Sequence, residues 1–338
     1  MSEYRQSPTS GQWTILATER SRRPEDFVLP DEGNPRRGLP AHSDSCPFCR
    51  GGDVDSAVPS VERAGGDGRW TVRVVPNRYA YVGASEPPRD LPRGKFAAAA
   101  GYGHADVVVE SPRHDWNPAL ASGEELAGVV LAWRDRFRQL QKDPAVKVVN
   151  VFRNHGPRAG ASLVHPHSQI VSTSVVPPHI SDQVRRAEEH WKAKGSCVYC
   201  DALAEELAQG ERIVAEEGDF VVWCPFASRT PFETRVQSRR HEALFGDATD
   251  AECADFARAL GLALRALHDA LGDPDYNVIL RSACLDQAGV PFYHWYAVVI
   301  PKLSRAAGME IGTGIYVNTV APEEAAKTLR EAARRRNG

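Results

Sequence analysis

Long apolar runs, a marked excess of charge and an apolar leader are all absent from this sequence. A bilayer-spanning helix needs about 20 consecutive apolar residues, and no run approaches that length. The 41 Lys and Arg residues against 44 Asp and Glu residues leave a net charge of −3, too small to attract nucleic acid or an anionic membrane. The opening MSEYRQSPTSGQWT lacks the apolar core of a secretory signal. We therefore expect a cytoplasmic enzyme that binds neither nucleic acid nor membranes.

Cysteine is sparse but patterned. Four of the seven cysteines form two C-x-x-C pairs, Cys46/Cys49 and Cys197/Cys200, and the other three are scattered among apolar neighbours. In a large cytosolic chain such pairs are more typical of metal sites than of disulfides. A redox function is the alternative, and the histidines downstream of each pair favour zinc.

The second half of the sequence repeats the order of features in the first. In each half a C-x-x-C pair is followed by a β-rich run, a Ser-x-x-His segment, a helical pattern and a histidine on a predicted strand. Equivalent histidines are spaced alike, because His114 and His241 are 127 residues apart and His165 and His294 are 129 apart. Any α+β chain can be made to resemble itself, but four matching features in one order favour a tandem duplication.

The predicted helices give this α+β organisation its boundaries. Ser122 and Glu125 form a capping-box pattern before an apolar stripe, and Thr249 or Asp250 opens the equivalent helix. A final helix begins near Pro322. We predict an N-terminal half over 1–172, a connector with its own helix over 173–196 and a C-terminal half over 197–338.

Each half supplies two cysteines and two histidines, which is a complete tetrahedral zinc set by residue type. With four protein ligands neither ion has an open position, so both zinc ions are predicted to be structural. A surface histidine is the alternative for His114 considered alone. The predicted ligands are Cys46, Cys49, His114 and His165 in the first site and Cys197, Cys200, His241 and His294 in the second.

One position distinguishes the two halves. His167 follows His165 by two residues, whereas Tyr296 stands at the matching place after His294. Residues i and i+2 of a strand share a face, so His165 and His167 are predicted to project to one side. We therefore assign His165 to the metal and predict that His167 is a nucleophile or general base.

The stretch NHGPRAGAS, residues 154–162, precedes this histidine strand. Gly156 and Gly160 would let backbone N–H groups approach a phosphate closely. An irregular turn is the alternative. Near the start, Arg20, Arg22 and Arg23 suit phosphate by geometry, although three arginines near a chain end are also typical of a solvated surface.

Together these motifs resemble a known family. H-P-H-S-Q preceded by N-x-G-x-x-x-G-x-S, with an upstream C-P-F-C and S-P-R-H, resembles the galactose-1-phosphate uridylyltransferase branch of the histidine-triad superfamily. The resemblance extends from GQWTILATERSRRP to PEEAAKTLREA, nearly the whole chain. It implies a tandem duplication of a histidine-triad-like unit, with antiparallel sheets and packed helices, and a homodimer.

The resemblance also implies a double displacement. His167 would attack the α-phosphorus of a nucleoside diphosphate sugar, releasing a sugar 1-phosphate, and a second phosphate acceptor would then take the nucleotidyl group. By the same resemblance, Gln169 and Ser162 would donate hydrogen bonds to the phosphate oxygens, and Asn154 and Gly160 would make further phosphate contacts. The other matching positions are Asn77 at the ribose or phosphate, Arg20 and Arg23 at the sugar phosphate, and Phe48 at the base.

The C-terminal run departs from the family pattern. The best-known members hold hexose with a Glu and a Gln after V-G-Y-E. Here Tyr316 matches the family's tyrosine as a substrate-binding residue, but Val317 and Asn318 follow it, with no glutamine downstream. This run resembles a divergent subgroup that includes ADP-glucose phosphorylases. A phosphorylase that acts on an ADP-sugar or a dinucleoside polyphosphate with inorganic phosphate is therefore the alternative enzyme, and a non-catalytic nucleotide-binding zinc protein is the alternative from another class.

Overall fold

The computed structural model describes residues 2–20, 34, 36–86, 88–91 and 94–334. Within these residues the chain forms 13 strands, in one large and one small sheet, and seven α-helices. The strands are β1 (Glu3–Gln6), β2 (Trp13–Leu16), β3 (Val61–Ala64), β4 (Trp70–Pro76), β5 (Ala105–Val109), β6 (Val148–His155), β7 (His167–Thr173), β8 (Ile213–Glu217), β9 (Phe220–Trp223), β10 (Thr234–Ser238), β11 (Tyr276–Arg281), β12 (Tyr296–Pro301) and β13 (Tyr316–Asn318).

The large sheet has ten strands in the order β3-β4-β5-β7-β6-β11-β12-β10-β9-β8, with every neighbouring pair antiparallel. Counted outward from the central β6–β11 pair, its two five-stranded halves take up their strands in the same order. This equivalence is the arrangement that a duplicated unit requires. The small sheet joins β1 and β2 near the N-terminus to β13 near the C-terminus.

The helices are α1 (Asp53–Ser56), α2 (Gly123–Leu140), α3 (Pro178–Lys194), α4 (Val198–Gln209), α5 (Asp250–Leu271), α6 (Gly308–Thr313) and α7 (Pro322–Arg334). The predicted capping box at α2 is confirmed, since Ser122 and Glu125 exchange hydrogen bonds, and Thr249 with Glu252 forms the equivalent box at α5. α3 lies within the segment predicted as a connector.

The core lies between the large sheet and the paired helices α2 and α5, which contact each other and the sheet. Val129, Val130 and Phe137 of α2 are fully buried there. Burial of each such side chain contributes roughly 1.5–3 kcal/mol. The predicted α+β fold with antiparallel strands and packed helices is therefore confirmed, and α3 and α4 pack against the opposite face of the second half of the sheet.

The predicted histidine strand is shorter than expected. β7 begins at His167, and His165 lies in the bend before it, rather than on the strand. His294 likewise precedes β12, which begins at Tyr296. His165 and His294 therefore each lie in the loop that leads into a strand.

Of the helices in the described residues, none combines the length and apolar character that crossing a membrane requires.

Candidate active site and metal centres

His167 opens β7 with its imidazole fixed in one tautomer. Its Nδ1 lies 2.8 Å from the carbonyl oxygen of His165, so Nδ1 carries the proton and donates it. Nε2 keeps the lone pair and has no hydrogen-bond partner among the residues that the structure describes. Burial lowers the pKa of His167 below its ordinary value, which keeps the ring neutral and Nε2 available as a nucleophile.

A cavity of about 780 Å³ opens beside His167. Phe48, Val54 and Val107 form part of its apolar wall, and the Phe48 ring centroid lies 5.5 Å from that of His167. Its polar lining includes Asn77, Ser162 and Gln169. The volume and the few converging polar groups suit an organic ligand with an aromatic part.

A second cavity of about 210 Å³ meets the first at His167. Both cavities are also lined by Ser162, and Arg36, Asn154 and Gly156 line only the smaller one. His167 therefore lies where an apolar cavity joins a smaller one that is lined by Arg36 and Asn154.

The glycine turn beside the smaller cavity is held from both halves of the sheet. Gly156 and Gly160 have φ angles of +83° and +91°, which favour glycine. Asn154 Nδ2 donates to the Gly160 carbonyl at 3.4 Å, and Asn277 on β11 donates from Nδ2 to Asn154 Oδ1 at 2.8 Å and to the Ala159 carbonyl at 2.9 Å. The second half of the chain thus positions the turn.

The two glycines should differ sharply when replaced by alanine. A Cβ on Gly156 would lie 2.0 Å from Asp275 Oδ1 and 2.3 Å from Arg36 Nη1, whereas a Cβ on Gly160 would meet only Asn154 Nδ2, at 3.5 Å. We expect Gly160→Ala to cost about 1 kcal/mol of unfolding free energy and Gly156→Ala about 3 kcal/mol or more, because it separates a buried ion pair. Urea unfolding measures both, and equal losses would contradict the clash at Gly156.

A buried chain of polar and charged groups runs from Glu110, at the end of β5, through β6 to Asp273 in the second half of the chain. Glu110 Oε2 accepts from Arg153 Nε at 2.9 Å, Arg153 Nη1 donates to His155 Nδ1 at 2.7 Å, and His155 Nε2 donates to Asp273 Oδ1 at 2.9 Å. Burial has the largest effect on the pKa of His167. The charge of Glu110 raises this pKa, and the charge of Arg153 lowers it. The network therefore lies within electrostatic reach of the candidate nucleophile.

No local sequence pattern predicts this network. Arg36 closes it by donating from Nε to Asp273 Oδ2 at 2.8 Å and from Nη1 to Asp275 Oδ1 at 2.9 Å. Asp273 also has a positive φ of +57°, which is uncommon for a residue other than glycine. The only sequence signal is that both aspartates lie within three residues of the start of a predicted strand, and their partners lie more than 110 residues away along the chain.

The network should make stability depend on pH. Burial lowers the pKa of His155 to about 4, below the ordinary value of about 6.5. The folded state then binds fewer protons than the unfolded state, so the free energy of unfolding should fall as pH drops from about 6.5 to 4, by at most about 3 kcal/mol. Titration of Asp273 should lower the free energy of unfolding further, at still lower pH. Burial opposes its ionisation, but the hydrogen bond and charge of His155 and the charge of Arg36 hold its pKa below the ordinary value.

Denaturant unfolding between pH 4 and 7 measures this dependence. The variant His155→Gln removes the titrating ring and should flatten the profile, whereas His42→Gln at an exposed position should leave it unchanged. A His155→Gln profile as steep as that of the wild type would contradict the assignment.

The first predicted metal group assembles in the structure. The ligand atoms of Cys46, Cys49, His114 and His165 all lie within 4.8 Å of one another, and all four residues are buried. His165 Nδ1 lies 3.5 Å from Cys46 Sγ and 3.3 Å from His114 Nδ1, and its Nε2 donates to the Ser111 carbonyl at 2.9 Å. The ring is thereby oriented with Nδ1 toward the cluster.

Three of the four predicted residues form the second group. The ligand atoms of Cys197, Cys200 and His241 lie within 4.8 Å of one another. His294 lies beside them, with Nδ1 3.4 Å from Cys200 Sγ and 3.3 Å from Gln237 Nε2. His294 thus touches the group, but its Nδ1 also lies against a competing amide.

The spacing of these atoms fits a metal ion. Ligands placed tetrahedrally at about 2.0–2.3 Å from a zinc ion lie roughly 3.3–3.8 Å apart, and the measured separations in the first group run from 3.3 to 3.6 Å. Burial raises the pKa of the Cys49 thiol, so a cation would be needed to hold it as thiolate. Both Cys/His groups can therefore hold a metal ion.

Two of the predicted substrate residues, Tyr316 and Gly160, do not line the His167 cavities. Tyr316 lines a separate cavity of about 220 Å³ and packs its ring 5.6 Å from the Arg229 guanidinium. Arg20 ends a short 3-10 turn at Thr18–Arg20, and Arg23 lies outside the described residues. The two cavities at His167 are thus formed without Tyr316.

Comparison with known proteins agrees with this geometry. The sequence model of the galactose-1-phosphate uridyl transferase N-terminal domain matches residues 1–177, and that of a domain of unknown function, DUF4921, matches residues 124–337. The ADP-glucose phosphorylase of Arabidopsis thaliana is 32% identical over 335 residues, covering 98% of this chain and 93% of the relative. The galactose-1-phosphate uridylyltransferase of Thermotoga maritima is 29% identical over 343 residues, covering 98% of each.

A solved structure supports the same relationship. The crystal structure of an ADP-glucose phosphorylase from Arabidopsis thaliana with bound ADP-glucose superposes with a TM-score of 0.81 at 28% identity, covering 98% of each chain. The predicted resemblance is confirmed at the level of both sequence and fold. This chain is a nucleotidyltransferase and belongs to the galactose-1-phosphate uridyl transferase family.

Proposed function

We propose that the protein transfers a nucleoside monophosphate from a nucleoside diphosphate sugar to a second phosphate acceptor through a covalent nucleotidyl-His167. The observation that carries this proposal is the free Nε2 of His167 at the junction of two cavities, with Nδ1 held by the His165 carbonyl. A neutral imidazole with one nitrogen fixed and the other unpartnered is a prepared nucleophile.

The two cavities divide the substrate between them. The larger one takes the nucleoside, with Phe48 at the base and Asn77 at the ribose or phosphate. Asn77 Oδ1 accepts the Tyr79 N–H at 2.9 Å, which leaves its Nδ2 to donate to the ligand. The smaller cavity takes the phosphate of the leaving sugar 1-phosphate against Arg36 and the Gly156–Gly160 turn.

The reaction then proceeds in two displacements. In the first, Nε2 of His167 bonds to the α-phosphorus as the bond from phosphorus to the sugar 1-phosphate oxygen breaks. Positive charge develops on the ring and is stabilised by the His165 carbonyl, while Ser162 and Gln169 donate to the phosphoryl oxygens. In the second, an oxygen of the acceptor phosphate attacks the same phosphorus, and the bond to Nε2 breaks.

Zinc is the ion we propose for both Cys/His groups, with His294 as the fourth ligand of the second. When bound, it supplies no open coordination position and fixes the loops that carry its ligands. In the first group this fixes His165, whose carbonyl holds Nδ1 of His167. We also retain a homodimer and a cytoplasmic location as predictions.

A phosphorylase that uses inorganic phosphate as acceptor is the second candidate. Asn318 stands where the family's hexose-binding run continues after its tyrosine. Its side chain is fully buried and donates to the carbonyls of Ser228 and Thr230 at 3.0 and 3.3 Å. This position therefore serves the fold instead of the sugar, which favours an acceptor without a hexose. The 32% identity to a relative named ADP-glucose phosphorylase supports the same candidate.

A substrate screen tests the proposal. The metal-replete protein is incubated with UDP-glucose or ADP-glucose, each combined with galactose 1-phosphate or inorganic phosphate, and products are separated by anion exchange. Turnover with phosphate but not with galactose 1-phosphate would establish the phosphorylase, and the converse the uridylyltransferase. Absence of turnover for every pair, in protein that contains two metal ions per chain, would refute nucleotidyl transfer between these substrates.

A further inference from the structure

The two halves of the large sheet present equivalent positions on the face that carries His167. Gln169 on β7 lies opposite Val107 on β5, and Val298 on β12 lies opposite Arg235 on β10. Because both halves take up their strands in the same order, these pairs occupy equivalent places. An arginine in the second half therefore stands where the first half has a valine.

A second arginine also distinguishes the second half of the sheet from the first. Arg281 on β11 lies directly opposite Tyr296. Continuing the β6–β7 register beyond its last pair puts Asn154 opposite His167. The second half thus replaces the nucleophile by a tyrosine and the asparagine beside it by an arginine.

A cavity of about 320 Å³ lies over these positions. Besides Arg235, Arg281 and Tyr296, it is lined by Arg229 and His179. Burial and the charges of Arg281 and Arg229 lower the pKa of His179, in line with a concentration of positive charge.

The two carboxylates in the lining pair with arginines other than Arg235 and Arg281. Glu233 lies 3.6 Å from Arg229, and Asp182 is paired with Arg185 and Arg186 on its own helix. Among the described residues, neither Arg235 nor Arg281 forms an ion pair.

The contacts of these two arginines leave donors free. The Arg235 guanidinium stacks 4.1 Å from the Tyr296 ring centroid, its Nη2 donates to Thr9 Oγ1 at 3.3 Å, and its Nε is buried with no hydrogen-bond partner. Arg281 Nη1 donates to His179 Nε2 at 2.9 Å. Two half-buried guanidinium groups without counter-charges are costly, and an anion that accepts from both would offset that cost.

We propose that this cavity is a second, non-catalytic binding site for a small phosphate monoester the size of a sugar phosphate. Arginine binds phosphate oxygens through its forked donors, and Ser7, Thr9 and Gln12 add polar groups for a sugar. The volume is less than half that of the His167 cavity, too small for a whole nucleoside diphosphate sugar. No nucleotidyl transfer occurs here because Tyr296 replaces the nucleophile.

Isothermal titration of the full-length, metal-replete protein tests the proposal, with inorganic phosphate and glucose 1-phosphate as separate probes. The wild type should bind one equivalent more of at least one probe than Arg235→Gln/Arg281→Gln, or bind it at least tenfold more tightly. The matched control is Arg89→Gln/Arg258→Gln, which removes the same charge from two exposed ion pairs and should titrate like the wild type.

Identical isotherms for the wild type and the Arg235/Arg281 variant, or an equal loss in the control, would overturn the proposal. The single variant Arg281→Gln provides a second measurement if the double variant unfolds. Covalent labelling of His167 is measured in parallel on the same variants. It should be unchanged, so loss of the second site and failure of the proposed reaction remain distinguishable.

Discussion

His167→Ala should abolish covalent labelling and lower kcat by about four orders of magnitude or more, because removing a nucleophile leaves only binding and electrostatic stabilisation. With UDP-glucose or ADP-glucose labelled at the α-phosphorus, the wild type should acquire one label per chain. A phosphorus–nitrogen bond to histidine is labile in acid and stable in base, so the label should be lost at low pH and retained at high pH. Peptide mapping should place it on His167.

Two variants separate the loss of the nucleophile from a general loss of structure. Gln169→Ala removes a proposed donor to the phosphoryl oxygens and should still acquire the label, about 10²–10³-fold more slowly. His104→Ala removes another imidazole of the first half, one that contacts Asp143, and should label at the rate of the wild type. A label that persists in His167→Ala would mean that another residue is the nucleophile.

The two metal groups should respond differently to loss of a cysteine. Cys46→Ser and Cys197→Ser should each lower the bound zinc from two ions per chain to one. Cys46→Ser should also reduce activity by 100-fold or more, because His165 would lose its anchor and its carbonyl would no longer fix His167 Nδ1. Cys197→Ser should reduce mainly stability, by several kcal/mol of the roughly 10–16 kcal/mol seen for structural zinc in small peptides.

Metal analysis, kcat and thermal unfolding on the same samples check this expectation. Cys284→Ala, outside both groups, should keep two zinc ions and serves as the control. Equal activity losses from Cys46→Ser and Cys197→Ser would contradict the specific dependence of His167 on the first group. Unchanged zinc content in either variant would remove that cysteine from the ligand set.

Features encoded by neighbouring residues were accessible from the sequence. Ser122 and Glu125 form a capping box at the start of α2, and its apolar residues up to Phe137 recur at helical spacing. Local sequence therefore determines this helix. The two metal groups were found because ligand types and their order repeat in both halves. Tyr296 occupies the position in the second half that is equivalent to His167, and this difference distinguished His167 from His165.

Features that depend on distant pairing were not accessible. The contacts of Asp273 with His155 and of Asn277 with Asn154 exist only because β6 pairs with β11, which no local pattern predicts. The late start of β7 has a similar cause, since the His165 ring turns toward the cysteines and its backbone leaves the strand. Tyr316 pairs with Thr14 of β2, and this parallel contact takes it away from the His167 cavities.

The β6–β11 pairing also bears on how the chain could be divided. If the two halves were produced as separate fragments, β6 and β11 would each become an open sheet edge. Open edges favour association with another strand. The N-terminal fragment would keep His167 but lose Asp275 and Asn277, which hydrogen-bond to its glycine turn. Neither fragment is then an autonomous enzyme. Because the exposed edges are complementary, activity is expected to return when the two fragments are produced together and reassemble.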